Sequence, residues 1–170
     1  TEIPEDLKKN AHAVIRIDAD VFTLKSVNNM DVSRKRAVTI LDKSGDGFAS
    51  VMIPYNPDTR VSGIKVNLYD AFGKLIKSYS KKDFSDFTYN RSGALYVDDR
   101  ILVLNPSSTM YPFTVETIYE TNTSNTININ TFSPFHSFDV SLQKASYNIV
   151  NNSVIKIRKK ITDNEFGKVI

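Results

Sequence analysis

The chain of 170 residues contains no cysteine. That one absence removes disulfides, thiolate metal sites and a cysteine nucleophile together. It also lacks any apolar run of the length a spanning helix needs, so no membrane span is expected. Histidine occurs only at His12 and His136, and neither stands in an HExxH pattern. Without thiolates, a zinc site would have to be completed by distant carboxylates, so both are read as structural or surface histidines. No GxSxG is present, and with it goes the strand-to-helix turn that exposes a nucleophilic serine. Charge of one sign is scarce as well. The 22 basic and 19 acidic residues are interleaved to a net +3, too small a bias to name nucleic acid as a partner.

What is present is a succession of short strand patterns. The first ten residues, "TEIPEDLKKN", are polar where a signal peptide would be apolar. Pro4 followed by acids predicts one short helical turn from Pro4 to Lys9. In "AHAVIRIDADVFTL" the residues Ala13, Ile15, Ile17 and Val21 recur at roughly alternating positions and predict a long strand. A turn at "VNNMD" leads into "SRKRAVTIL", and "DKSGDG" reads as another reversal before the strand "FASVMIPY", which Pro54 and Pro57 should end. "VNLYDAFGKLIKSY" reads as two strands around a turn bracketed by Asp70 and Gly73.

The stretch "KKDFSDFTYNRSGALYVDDR" mixes aromatics with turn formers and predicts a long irregular loop or short edge strands. "ILVL" reads as a buried strand. "YPFTVETIYE" has the clearest alternation, with Tyr111, Phe113, Val115 and Tyr119 on a buried face and Thr114, Glu116 and Glu120 opposite. Truncating Phe113 should therefore be costly and truncating Glu116 cheap. "TNTSNTININTFSPF" is read as a loop with some strand character, and "SFDVSLQKASYNIV" and "SVIKIRKKI" as two closing strands around Asn151 and Asn152. Together these predict an all-β fold, an antiparallel β-sandwich. It is expected to be one domain over 1–170, with 1–10 as a lead-in and 161–170 starting a linker or further strand.

Three clusters invite chemistry. Asp42, Ser44, Asp46 and Gly47 occupy positions one, three, five and six of a calcium loop, but the twelfth falls on Ile53 where a bidentate carboxylate is needed. A hairpin turn accounts for the same residues. Asp98 and Asp99 beside Arg100, with Asp83 and Asp86 upstream, suggest paired carboxylates. Adjacent residues on a strand point opposite ways, and an ion pair or loop anchor is the preferred reading. Lys156, Arg158 and Lys160 share one face against Ile155 and Ile157, as a solvated strand face does, and no aromatics interleave as stacking on bases would require.

Read in order, "AVTILDKSGDGFASVMIPYN", "VSGIKVNLYDAFGKLIKSYSKKDFSDF", "GALYVDDRILVL" and "TMYPFTVETIYE" resemble a known family. It is the N-terminal domain of unknown function that precedes transglutaminase-like domains in exported proteins of Gram-negative bacteria. "FSPF" at 132–135 and "VSLQKASYNIV" resemble the elements that follow. The resemblance implies an immunoglobulin-like β-sandwich, an exported, periplasmic or cell-surface location, and a Cys, His and Asp set lying in a following domain rather than here.

The functional expectation is a non-catalytic accessory domain that supports or positions a following transglutaminase-like or protease-like domain of the same polypeptide. It has no catalytic residue, metal or cofactor of its own. The alternative is a stand-alone glycan- or peptide-binding module using exposed aromatics such as Tyr89 and Tyr96.

Overall fold

The computed structural model describes residues 2–89, 98–127, 129, 133, 137–154 and 156. They are mostly β, with one short helix, α1 (Glu5–Lys8), which follows Pro4. Two sheets are formed. The larger contains β1 (Ala13–Ser26), β2 (Asn29–Ile40), β4 (Thr59–Tyr69), β5 (Leu75–Tyr79), β8 (Phe113–Thr123), β9 (Val140–Leu142) and β10 (Ala145–Asn151). Its order is β10-β1-β2-β8-β4-β5, with β9 also against β1. The smaller contains β3 (Val51–Tyr55), β7 (Arg100–Leu104) and β6 (Ser85–Thr88), in that order. Val51, Ile53, Leu102 and Leu104 of the small sheet join Ile15, Ile40, Val66, Leu68 and Phe113 of the large one in a single core cluster.

The β4–β5 reversal forms as its residues predict. The Asp70 carboxylate accepts from the backbone N–H of Phe72 and of Lys74, each at 2.9 Å. Gly73 adopts φ +81, a conformation that costs little only without a Cβ. β7 is the buried apolar strand expected at "ILVL", and Phe113 and Val115 of β8 lie in the core. The loop-like stretch after β5 resolves at its start into a 3-10 helix (Lys81–Asp83), whose Ser80 and Asp83 cap each other, and the exposed edge strand β6.

Several expectations are corrected. The pairing is not antiparallel throughout, since β9 and β10 both run parallel to β1. Parallel neighbours need a crossover of roughly a dozen residues or more, and the connection from Thr123 to Val140 is long enough to bring the chain to the opposite side of β1. "DKSGDG" is not a hairpin turn. It forms a 3-10 helix (Lys43–Ala49) that carries the chain from β2 in one sheet to β3 in the other. Pro54 lies inside β3 rather than beyond it, which an edge strand tolerates.

β1 is the long strand expected, but its apolar alternation does not mark one buried face throughout. The β1–β2 register slips between Ile15 and Ile17, leaving Arg16 as the extra residue. Such a bulge turns every later side chain over. Ala13 and Ile15 enter the core, but beyond the bulge it is Asp18 and Phe22, not Ile17 and Val21, that are buried.

The outer face of β8 is not simply solvated either. Glu116 is held 3.0 Å from Lys35 Nζ and accepts from the Tyr69 hydroxyl at 3.1 Å and Asn67 Nδ2 at 3.4 Å. The segment "SVIKIRKKI" and residues 161–170 lie outside the described residues, apart from 153, 154 and 156.

Candidate functional site

The bulge in β1 has a chemical consequence. It points Asp18 and Asp20 toward the small sheet, on the same face as Arg36 and Arg34, their direct partners on β2. Thr117 and Tyr119 continue the row on β8, opposite Arg36 and Arg34. A polar stripe thus crosses the inner face of the large sheet beside the apolar core.

Arg34 is the hinge of this stripe. Its Nη2 donates to Asp18 Oδ1 at 3.3 Å, and its Nε lies 3.4 Å from Asp20 Oδ1. The second contact is close enough for attraction but is not a hydrogen bond, and Asp20 Oδ1 has no hydrogen-bond partner among the described residues. Burial raises the Asp20 carboxyl above its ordinary range, Arg34 offsets part of this, and the like charge of Asp18 adds to it. Burial also lowers the proton affinity of Arg34, but Tyr119, Asp20 and Asp18 outweigh it and leave the guanidinium more firmly charged than usual.

Arg36 differs, because burial depresses it and its neighbours do not restore it. Its buried Nε has no hydrogen-bond partner among the described residues. A buried ion without full compensation is costly, so this residue needs an explanation beyond packing.

The stripe opens into two adjoining cavities that share Arg34, Met52 and Tyr119. One, of ≈ 300 Å³, lies between Arg36, Thr117 and the 3-10 helix that carries Phe48. The other, of ≈ 350 Å³, runs toward Tyr55, Tyr89, Asp99 and Arg100, with Asp20 on its wall.

The residues singled out in the sequence fall in several places. Tyr89 lines the second cavity with Asp99 and Arg100, whereas Asp98 is exposed. Tyr96 and His136 lie outside the described residues, as do Arg158, Lys160, Ile155 and Ile157, while Lys156 is exposed. Arg100 Nε bonds Asp86 at 3.0 Å and the Tyr55 hydroxyl at 3.0 Å, and Tyr55 in turn donates to Asp86 at 2.6 Å. Asp83 caps its helix through the Ser80 N–H at 2.7 Å. Asp42 is engaged by His12 at 2.8 Å and by the Ser44 N–H at 2.8 Å, and Asp46 by the Tyr111 hydroxyl at 2.9 Å. Ile53 is fully buried in β3. Among the described residues no group of three or more metal-ligating side chains converges.

The sequence reading passed over Asp18, Asp20, Arg34 and Arg36. Their signal was two acids two residues apart in one strand and two arginines two residues apart in the next, which a hairpin places face to face.

Residues 27–166 match the model of a domain of unknown function with a solved structure, DUF3857. The chain belongs to this family. No curated protein matches it. Among solved structures the DUF3857 chain is similar to a "putative protease" from Parabacteroides distasonis ATCC 8503, at 15% identity and a TM-score of 0.57, over 66% of this chain and 23% of that one. At that identity the likeness speaks to the fold alone. The DUF3857 chain therefore spans less than a quarter of the length of that structure. A "putative nutrient binding protein" from Legionella pneumophila subsp. pneumophila str. Philadelphia 1 has 11% identity and a TM-score of 0.29, over 68% of this chain and 42% of that one, and its likeness carries no argument.

Proposed function

We propose that this DUF3857 chain is a non-catalytic accessory domain, an immunoglobulin-like β-sandwich in its finer fold. It supports or positions a following transglutaminase-like or protease-like domain in an exported bacterial protein. The observation that carries this reading is the Parabacteroides comparison, in which a protein named as a "putative protease" contains a match to this fold within 23% of its length. The side chains agree with a supporting role. The carboxylates that could have formed a site, Asp42, Asp46, Asp83 and Asp86, are each spent on a cap, a tyrosine or an arginine.

An accessory domain fused to a catalytic one shares an interface of roughly 600–1,500 Å² with it. Hydrogen exchange on the isolated chain and on its longer parent tests this. Protection is expected in a contiguous patch near 89–100 or 131–138 in the parent only. Identical exchange in both would defeat the supporting role and favour an independent binding module.

One observation favours that second reading. Tyr55, Tyr89 and Tyr119 line one cavity together with Asp20, Asp99 and Arg100, and aromatic faces beside hydrogen-bonding charges suit a sugar ring or a peptide. A glycan array probed with this chain and with Tyr89→Ala discriminates it, because loss of a specific signal in the variant would support the module.

A further inference from the structure

Arg36 lines the smaller cavity, and its buried Nε has no hydrogen-bond partner among the described residues. Of its two acidic neighbours in the stripe, Asp18 attracts it across the strand pair but does not offset its burial. Asp18 is bonded to Arg34, and Asp20 lies beside Arg34 on the wall of the other cavity. The cavity of ≈ 300 Å³ is lined by Arg34, Arg36, Thr117, Tyr119 and Ser50, with no carboxylate among the described residues of its wall. The rest of the wall is apolar, from Val38, Phe48, Val51 and Val115.

We infer that this cavity binds a small organic carboxylate with a compact apolar body. The acid end meets Arg36, whose planar fork of donors matches a carboxylate in two parallel bonds. Thr117 and Tyr119 stand beside it as further donors, and the aliphatic end covers Val38, Val51 and Val115. The volume lies at the lower end of the range for small-molecule pockets, about 300–1,000 Å³. A fully hydrated inorganic anion would leave the apolar wall unmatched, and a neutral ligand would leave the buried charge of Arg36 only partly compensated, by Asp18. Burial weakens the hold of Arg36 on its proton, and an entering carboxylate relieves that destabilisation. The same chemistry is offered by a free acid and by the C-terminal residue of a peptide, so the two are separated by experiment.

Hexanoate is titrated into the chain at constant ionic strength, following the arginine Nε–H resonances and Tm. Saturable binding that shifts the Arg36 resonance is expected, with hexanamide at least about ten-fold weaker. Arg36→Met should weaken hexanoate by a similar factor. Should that variant not fold, the hexanoate and hexanamide comparison on the unsubstituted chain decides alone. A leucine-terminated tripeptide that competes more tightly than hexanoate assigns the site to peptide ends, and one that does not compete assigns it to free acids. No saturation by hexanoate, equal binding of hexanamide, or unchanged binding by folded Arg36→Met would each overturn the inference.

Discussion

His12 Nδ1 lies 2.8 Å from Asp42 Oδ2, joining residues 30 positions apart. The same histidine accepts from the Leu41 N–H through its backbone carbonyl at 2.9 Å and donates its own N–H to the Asp139 carbonyl at 2.8 Å. One residue thus ties the start of β1, the end of β2 and the approach to β9, which is where the parallel strands begin.

This junction makes stability depend on pH. The bond to Asp42 raises the His12 pKa above its ordinary value, against some loss from desolvation, and the charges of Asp42 and Asp139 add to the rise. A raised histidine contributes fully below its unfolded value, and the contribution is lost as pH climbs through the folded one. Asp42 is held low by the same bond, so its share is lost only in acid, as pH falls through the depressed value. The Tm of the native chain should therefore fall more between about pH 6 and 8 than that of His12→Gln. Equal slopes would mean that the pair does not form in solution.

Calcium should leave Tm unchanged. Ligands of the native state raise it by mass action, but the two carboxylates of "DKSGDG" are already engaged, Asp42 by His12 and Asp46 by Tyr111, and Ile53 occupies the position a completing carboxylate would need. A calcium-dependent rise that disappears in Asp42→Ala would refute this.

Gly45→Ala should destabilise the fold by about 1–3 kcal/mol or more, as overpacking does. A methyl group there would fall on the backbone carbonyl of His12, and backbone is not free to swing aside. A urea midpoint equal to that of the parent would show that the 3-10 helix does not lie against β1 in this way.

How much of this was legible in the sequence depends on the range of the interaction. The β4–β5 turn was legible because Asp70 and Gly73 act on their own neighbours. β7 was legible as a short apolar run, and β8 because Phe113 and Val115 alternate with polar residues within their own strand. The direction of β9 and β10 was not, because no local pattern records whether a strand's partner lies antiparallel or parallel. Nor was the inner charge stripe. A single extra residue, Arg16, turns Asp18 and Asp20 inward, and alternation counted through a bulge assigns every later residue to the wrong face. "DKSGDG" was misread for a related reason: the same turn formers suit a hairpin and a sheet-to-sheet crossing, and only the partners of β2 and β3 distinguish them.

The two faces of β8 offer the most direct test of the register. Phe113 is 1% exposed and packs 5.5 Å, ring to ring, from Tyr111, so Phe113→Ala should cost about 3–5 kcal/mol, the range for a truncated core aromatic. Glu116, on the opposite face, should not be silent as its sequence pattern implied. Its removal strips Asn67 and Tyr69 of an acceptor in a half-buried network that Ser78 extends by bonding Asn67 at 2.8 Å. Orphaned groups of this kind cost about 1–3 kcal/mol, and the low end applies because Lys35 remains 46% exposed and can turn to water. Glu116→Gln keeps an acceptor oxygen for Asn67 and Tyr69 and gives up the ion pair with Lys35, so it should cost less than Glu116→Ala. Urea titrations of the three variants at constant m check the order Phe113→Ala, Glu116→Ala, Glu116→Gln. If Glu116→Ala proved the most damaging, the strand would be turned over relative to the pairing of Ala37 with Glu116 and of Val38 with Val115, and the inward placement of Thr117 and Tyr119 beside Arg36 would fail with it.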